Sequence, residues 1–447
     1  MKSARVSIIG LGYVGLSTGV CLSSRGIRVY GVDVDEVRLS SLRKGRAPFQ
    51  EDGLGRLLAS SVKKGTFRPA GDYDEAIANS EITFLAVGTP SMPDGSVDLG
   101  YLKSASEGVG KALAKKRGFH NVVVKSTAVP GTTQGPVRRW LEESSQKKCG
   151  EGFGLAANPE FLREGSAVAD TFSPDAIVIG ALTKRTGVAL VSLFKTFYKK
   201  LPRVVLTSPA NAELIKYAVN TFRATQLSFL NTLANVCSGI GGADIDEVAD
   251  GFTAIAKADP RYLKAGLGFG GSCLPKDLRA IIAYCRQTGA NPAVFEAALR
   301  FNEAQPTVAV QMTRELIGQL DKKKVAVLGL AFKANTDDVR ESVAIRLVER
   351  LLSDGARVAV YDPKAMENAK RVLGDRVSYV DSARECIKDA DCCVVATGWP
   401  EFARIRPLEF KQLMRNPAVM DGRRVLDARA LRAAGVKCLT LGSWMGS

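Results

Sequence analysis

Short apolar runs, each closed by glycine or an acid and followed by helical spacing, recur along most of this chain. Arg5-Val-Ser-Ile-Ile-Gly10 is the first, and LSTGVCLSSRG (16–26) follows it with a helical pattern. IRVYGVD predicts a second strand ending in Asp33. EITFLAVGTP (81–90), NVVVKSTAVPGT (121–132), GLAANPEFLREG (154–165) and DAIVIG (175–180) repeat the theme. Such alternation predicts an α/β fold, with ligands bound where the strands end. Thr89, Thr127, Glu160 and Glu164 all fall in those end loops, where a lone polar residue is equally a cap or turn former.

From Ser208 the pattern changes. Ser208 reads as an N-cap and Pro209 as a first helical residue, and apolar periodicity continues to about Cys237. Gly239, Gly241 and Gly242 end it. Glu213, Lys216, Asn220 and Arg223 step by three and four and so share one face. Spacing alone permits a solvated stripe or a face turned into a cleft. More helices fill 244–320. At Lys322 the strand pattern restarts with KKKVAVLGLAF, helical ESVAIRLVERLLSDG and ARVAVYDP, which closes in Asp362. VSYV and CCVVAT supply further strands.

Three positions give the first segment its chemistry. Gly10, Gly12 and Gly15 form GxGxxG between strand and helix, and Asp33 stands near the ~20-residue offset of a ribose-binding acid. This is the dinucleotide turn of a Rossmann domain, and the acid favours NAD over NADP. The second half is Rossmann-like, but its turn, Gly329 to Lys333, lacks GxGxxG and is not expected to bind a second dinucleotide in the same way. Lys333 and Arg340 there suit phosphate, or solvent. The predicted domains are an NAD-binding domain (1–205), a central helical region (206–318) and a C-terminal domain (319–447).

Residues 262–277, YLKAGLGFGGSCLPKD, hold a candidate nucleophile. Gly266, Gly268, Gly270 and Gly271 allow a sharp, close backbone, and Pro275 suits the first turn of a helix. Cys273 then falls at a helix N-terminus beside Lys276, a setting that favours thiolate, and Asp277 is one turn on. A buried cysteine after a glycine turn reads the same locally.

Composition narrows the partners. The chain has 447 residues, 46% of them hydrophobic, and mean hydropathy near zero, enough for two or three domains. A net charge of +16 suits an anionic partner, yet the Lys and Arg are dispersed, which argues against nucleic acid. Most of the excess reads as a solvated basic surface. The opening apolar run is too short and glycine-broken for a signal peptide, and no long apolar stretch predicts a membrane span. The 9 cysteines are scattered without a CxxC pair, which predicts reduced thiols, a cytoplasmic address and no structural zinc. His120 is the single histidine, so proton transfer falls to Lys, Asp, Glu or water.

Taken together, GLGYVGL (10–16), VGTP (87–90), KSTAVPGT (125–132), NPEFLREG (158–165), NAELIKYAVN (211–220), GFGGSCLPKD (268–277) and GLAFKANTDDVRES (329–342) resemble the UDP-glucose/GDP-mannose 6-dehydrogenase family in content and order. The resemblance spans nearly the whole chain. It implies four-electron oxidation of a nucleotide sugar's C6 alcohol to a carboxylate with two NAD+. It makes Cys273 the nucleophile, forming a thiohemiacetal and then a thioester. Lys216 and Asn220 would hold the oxyanion, and Asp277, Thr127 and Glu160 would handle the water. The implied NAD contacts are Val14, Asp33, Arg38, Thr89, Thr127, Glu164, Lys276 and Arg340, beside the glycine turn. The implied sugar contacts are Glu160, Phe161, Leu162, Arg163, Glu164, Lys216, Asn220, Arg261, Tyr262, Leu263, Lys264, Ala265, Gly266, Gly270 and Lys333.

The resemblance also implies a homodimer through the central helix. Family members often carry a longer segment where Asp259-Pro-Arg261 runs straight into Tyr262 here, and the shortening bears on whether Arg261 reaches a partner's site. NPEFLREGSAVAD and YLKAGLGFGG favour UDP-glucose, while Leu274 in SCLPKD is also found in GDP-mannose members. UDP-N-acetylhexosamine is the other alternative. A non-catalytic binder on this fold would be expected to lose Cys273, Lys216 or Asp277, and all are present.

Overall fold

A computed structural model describes residues 4–443 except 258, 260 and 261. Two compact units emerge, Met1–Val219 and Asn220–Ser447. The first is built on strands β1 (Arg5–Ile9), β2 (Arg28–Val32), β3 (Phe67–Pro69), β4 (Ile82–Leu85), β5 (His120–Val124), β6 (Phe153–Ala157), β7 (Ala176–Ala181) and β8 (Arg203–Thr207). They lie in the order β3-β2-β1-β4-β5-β6-β7-β8. β4, β5 and β6 are buried throughout, as expected of a sheet covered on both faces. Alternation along β1 feeds both cores: Val6 and Ile8 pack with Leu16 and Val20, whereas Ile9 packs with Leu102, Val109 and Leu113.

The order 3-2-1-4-5-6 is that of a dinucleotide-binding sheet, whose switch point lies between β1 and β4. The Gly10–Gly15 turn leaves β1 at that point, and the Gly10 amide donates to Val32 O at 2.8 Å. One departure from the parallel repeat appears. β7 runs antiparallel to β6. The helix between them, Ala167–Phe172, has only 6 residues.

The central helix runs Pro209–Ser238, 30 residues, as its cap and periodicity predict. Ser208 Oγ accepts the Asn211 amide at 3.3 Å. In the second unit, helices Ile245–Ala256, Leu274–Thr288 and Ala293–Ile317 precede another sheet. Its strands are β9 (Lys324–Leu328), β10 (Arg357–Tyr361), β11 (Ser378–Tyr379), β12 (Cys392–Val395), β13 (Ala418–Asp421) and β14 (Lys437–Thr440). The order β11-β10-β9-β12-β13-β14 repeats the first sheet's plan, and every pair is parallel. No helix among the described residues is long and apolar enough to cross a membrane.

Candidate active site

Glycine at 10 and 15 is a steric requirement. Gly10 has φ +92°, and a Cβ on Gly15 would stand 1.9 Å from Gly10 O. At Gly12 a Cβ would meet nothing within 4 Å, so the surface over the first turn of helix Tyr13–Ser24, where Val14 lies, is open to a ligand. Asp33 is fixed at the end of β2: Oδ2 accepts Leu11 N at 2.7 Å and Arg38 Nη1 at 2.9 Å. Val34 and Val37, 93% and 83% exposed, put bare apolar surface in the residues just after this acid. Sequence reading passed over both, although valine in an otherwise polar VDVDEVR was a signal. An open glycine turn, a helix N-terminus and a buried acid fit an adenine dinucleotide.

The loops after β4 and β5 are tied together, since Thr89 Oγ1 donates to Thr127 O at 2.7 Å. After β6, the polar residues close inward. Glu160 Oε2 accepts Leu162 N at 2.6 Å, and Oε1 accepts Lys216 Nζ at 2.8 Å. Burial pushes the Glu160 carboxyl up, but the Lys216 ammonium outweighs it and holds the group below its ordinary range. The Lys216 ammonium also lies 5.5 Å from the centre of the Phe161 ring. Glu213, Lys216 and Asn220 are all buried, which resolves the helix stripe as an inward face.

Ser126, Thr127, Pro159, Glu213 and Lys216 line a small hollow. Glu213 anchors its rim by accepting Gly131 N at 2.7 Å and Thr133 N at 2.8 Å. Burial nevertheless lifts its carboxyl to about 7. Lys125 was also missed. Its Nζ reaches Asn158 Oδ1 at 3.2 Å, and burial lowers it to about 8. A lysine ending an apolar strand, as in VVVK, was the available clue.

In the second unit Cys273 is the N-cap of helix Leu274–Thr288, with Pro275 in its first turn, as the sequence predicts. Ser272 Oγ lies 3.6 Å from its sulfur. Asp277 is buried one turn on, where Oδ2 accepts Asn220 Nδ2 at 2.6 Å and Oδ1 accepts Lys276 Nζ at 2.6 Å. The glycine approach is fitted tightly. A Cβ on Gly270 would meet Glu341 O at 2.2 Å, and one on Gly266 would meet Arg423 at 2.9 Å. Gly266 N donates to Asn231 Oδ1 at 2.8 Å, and Asn302 brackets the backbone of Phe269. Arg423, another residue missed, joins Ala396 O at 2.8 Å to Gly268 O at 3.2 Å.

Leu263 and Ala265 turn into a core with Leu230 and Ile245, so among the expected sugar contacts they have only backbone to offer. Lys264 is exposed, and Arg223 lies 4.5 Å over the Tyr262 ring. Arg261 lies outside the described residues. Arg340 is exposed and forks onto Asp338, and Lys333 sits 5.5 Å from the Phe332 ring. Leu162 and Arg163 continue the Glu160 segment, with Arg163 paired to Asp170 at 2.6 Å. Glu164 follows in the same loop.

Asp362 holds the position in the second half that Asp33 holds in the first, and its environment is different. It is 1% exposed and accepts Leu330 N, Ala331 N, Lys364 N, Ala365 N and Trp399 Nε1, all between 2.7 and 3.0 Å. This acid is committed to holding its own turn, consistent with the missing GxGxxG.

A dinucleotide turn in one half, a spent copy of it in the other and a cysteine capping a helix beside a buried acid define an NAD-dependent dehydrogenase. The matches to known proteins agree. The family model described as the NAD binding domain of UDP-glucose/GDP-mannose dehydrogenases matches residues 4–198, the central domain 210–304 and the UDP binding domain 326–428. The chain belongs to the UDP-glucose/GDP-mannose dehydrogenase family. It is 45% identical to UDP-glucose 6-dehydrogenase AglM of Haloferax volcanii, over 95% of this chain and 97% of that one. It is 39% identical to a GDP-mannose 6-dehydrogenase of Pseudomonas putida, over 85% and 84%. The structure of a UDP-glucose dehydrogenase from Pyrobaculum islandicum superposes with a TM-score of 0.91 at 41% identity, covering 99% of this chain and 98% of that one.

Proposed function

We propose that this enzyme oxidises UDP-glucose to UDP-glucuronate, using Cys273 as a covalent handle on C6. The observation that carries the reading is the buried Asp277, hydrogen-bonded by Asn220 at 2.6 Å one turn into the helix that Cys273 caps. Bound NAD+ supplies hydride acceptance, twice for each sugar. Lys216, oriented by Glu160, stabilises negative charge developing on O6. Cys273 Sγ adds to the C6 aldehyde, giving a thiohemiacetal whose oxidation leaves a thioester. Asp277 takes a proton from the water that attacks the thioester, with Thr127 and Glu160 orienting it. The carboxylate leaves and the thiol is restored. Gly10, Gly12, Val14, Gly15, Asp33, Arg38, Thr89, Glu164, Lys276 and Arg340 hold the dinucleotide, and residues 160–164, 261–266, Gly270 and Lys333 meet the sugar nucleotide.

The higher identity and fuller coverage of the UDP-glucose relative, beside the GDP-mannose one, support the choice of sugar. NADH formation against a panel of nucleotide sugars tests it. UDP-glucose should exceed GDP-mannose in kcat/KM by about 10⁴, with two NADH per sugar. Faster oxidation of GDP-mannose, or one NADH per sugar, overturns the assignment.

The same reading includes a homodimer through the central helix. Phe222, Phe229 and Val236 recur every seventh position and are about half exposed, and Val248 and Ile255 add bare surface on the next helix. Phe229→Lys should convert a dimer to a monomer in sedimentation. Thiols at all 9 cysteines, none in a disulfide, suit a reducing cytoplasm.

A further inference from the structure

Glu51 lies outside every motif used above. It precedes helix Leu54–Lys63, yet its carboxylate joins two segments distant from it in sequence. Oε1 accepts the amide of Ala167 at 2.8 Å, and Oε2 accepts that of Gly165 at 2.8 Å. The Tyr13 hydroxyl donates to the same Oε2. Gly165 N is also 3.0 Å from the tyrosine oxygen, which closes a triangle of phenol, carboxylate and amide. The Tyr13 ring rests against Phe49, with centroids 5.0 Å apart. Burial and the bond to Glu51 raise the phenol above its ordinary value, so it remains a donor. On its other side the segment is held by Asp170, which accepts Arg163 N at 2.9 Å.

Tyr13 is the first residue of the helix at whose N-terminus a dinucleotide's pyrophosphate binds. Residues 163–167 continue directly from Glu160. Three donors converging on one carboxylate make short, charge-assisted bonds with fixed geometry. A shift at the helix N-terminus is therefore passed on to the loop.

We propose that Glu51 is a positioning residue that couples dinucleotide binding at the first helix to the order of segment 160–167. That this segment meets the sugar nucleotide rests on the function proposed above, whereas the coupling itself does not.

Hydrogen exchange of the full chain with and without NADH tests the coupling. In the wild type, NADH should slow exchange at 10–16 and also at 160–170. Glu51→Gln sets amide hydrogens against donors. At saturating NADH it should keep the protection at 10–16 and lose roughly tenfold at 160–170, the scale of one charge-assisted hydrogen bond. Its KM for UDP-glucose should rise by a similar factor, with kcat changed less. Tyr13→Phe, which keeps the ring on Phe49, should move both readouts the same way and carries the test if Glu51→Gln does not fold. Unchanged NADH-dependent protection in the variant, or none at 160–170 in the wild type, overturns the coupling. A wild type that shows coupled protection but oxidises no nucleotide sugar would sink the proposed function and leave the coupling standing.

Discussion

Lys216 donates to Glu160 at 2.8 Å, and the two side chains are only 3% and 7% exposed. A buried ion pair of this kind adds little to stability as a pair, but removing one member strands the other charge. Lys216→Ala should lower unfolding free energy by about 3 kcal/mol. It should also lower kcat by about a hundredfold or more through loss of the oxyanion partner. Lys216→Met combined with Glu160→Gln separates the effects: the double variant should regain most of the stability in urea melts and none of the turnover. Recovery of kcat in that variant would show that the lysine only packs.

Cys273→Ser should stop net conversion to acid while NAD+ binding survives, because the dinucleotide turn lies in the other unit. A serine ester hydrolyses more slowly than a thioester, so a covalent adduct should accumulate and appear in the intact mass. Wild-type steady-state turnover would make Cys273 a packing residue.

Asp277→Asn keeps an acceptor for Asn220 but removes the base. A burst of two NADH per active site should precede a slow steady state, with acyl-enzyme trapped on Cys273. Undiminished steady-state rates would assign the water to another group.

Asp33 and Arg38 form an ion pair at 2.9 Å at the end of β2. Wild-type kcat/KM should favour NAD+ over NADP+, because the carboxylate repels a 2′-phosphate. Asp33→Ser releases Arg38 toward that phosphate, and the preference should narrow by roughly tenfold or more. Comparable values for the two cofactors in the wild type would refute the assignment.

His120 gives a pH signature of folding that is independent of catalysis. Lys116 Nζ donates to Nδ1 at 3.1 Å, so Nε2 carries the proton and donates to Thr83 Oγ1 at 2.7 Å. Burial, reinforced by Lys116, lowers the imidazole from 6.5 to about 3. The unfolded chain thus binds one more proton than the fold between those values. This contribution to stability is present above pH 6.5 and is lost as pH falls toward 3. Melting temperature should drop across that window, and His120→Gln should flatten the drop. An equally steep fall in the variant would point to other groups.

Much of the fold was legible because its signals are local. The GxGxxG turn, the Ser208–Pro209 helix start and the restart at Lys322 each follow from neighbouring residues. The reversal of β7 was not legible, since strand direction is set by pairing with β6, which is remote in sequence. In the site, Cys273 as a cap and Asp277 one turn on followed from spacing. Whether Glu213, Lys216 and Asn220 faced solvent depended on what covers the helix, and only the three-dimensional arrangement carries that. Lys125 and Arg423 were overlooked for the same reason: their partners, Asn158 and Gly268, are remote in sequence.

The saturated environment of Asp362 bears on the order of events in turnover. With that half's acid occupied by its own backbone and Trp399, the open GxGxxG turn among the described residues is the one in the first sheet. An oxidation that uses two NAD+ must then be served by the same seat in succession. Spent cofactor has to leave and fresh cofactor arrive while the half-oxidised sugar stays. A bond from Cys273 to C6 would act as a mooring during that exchange. Starving the enzyme of NAD+ after its first oxidation should therefore leave the aldehyde on the protein instead of in solution.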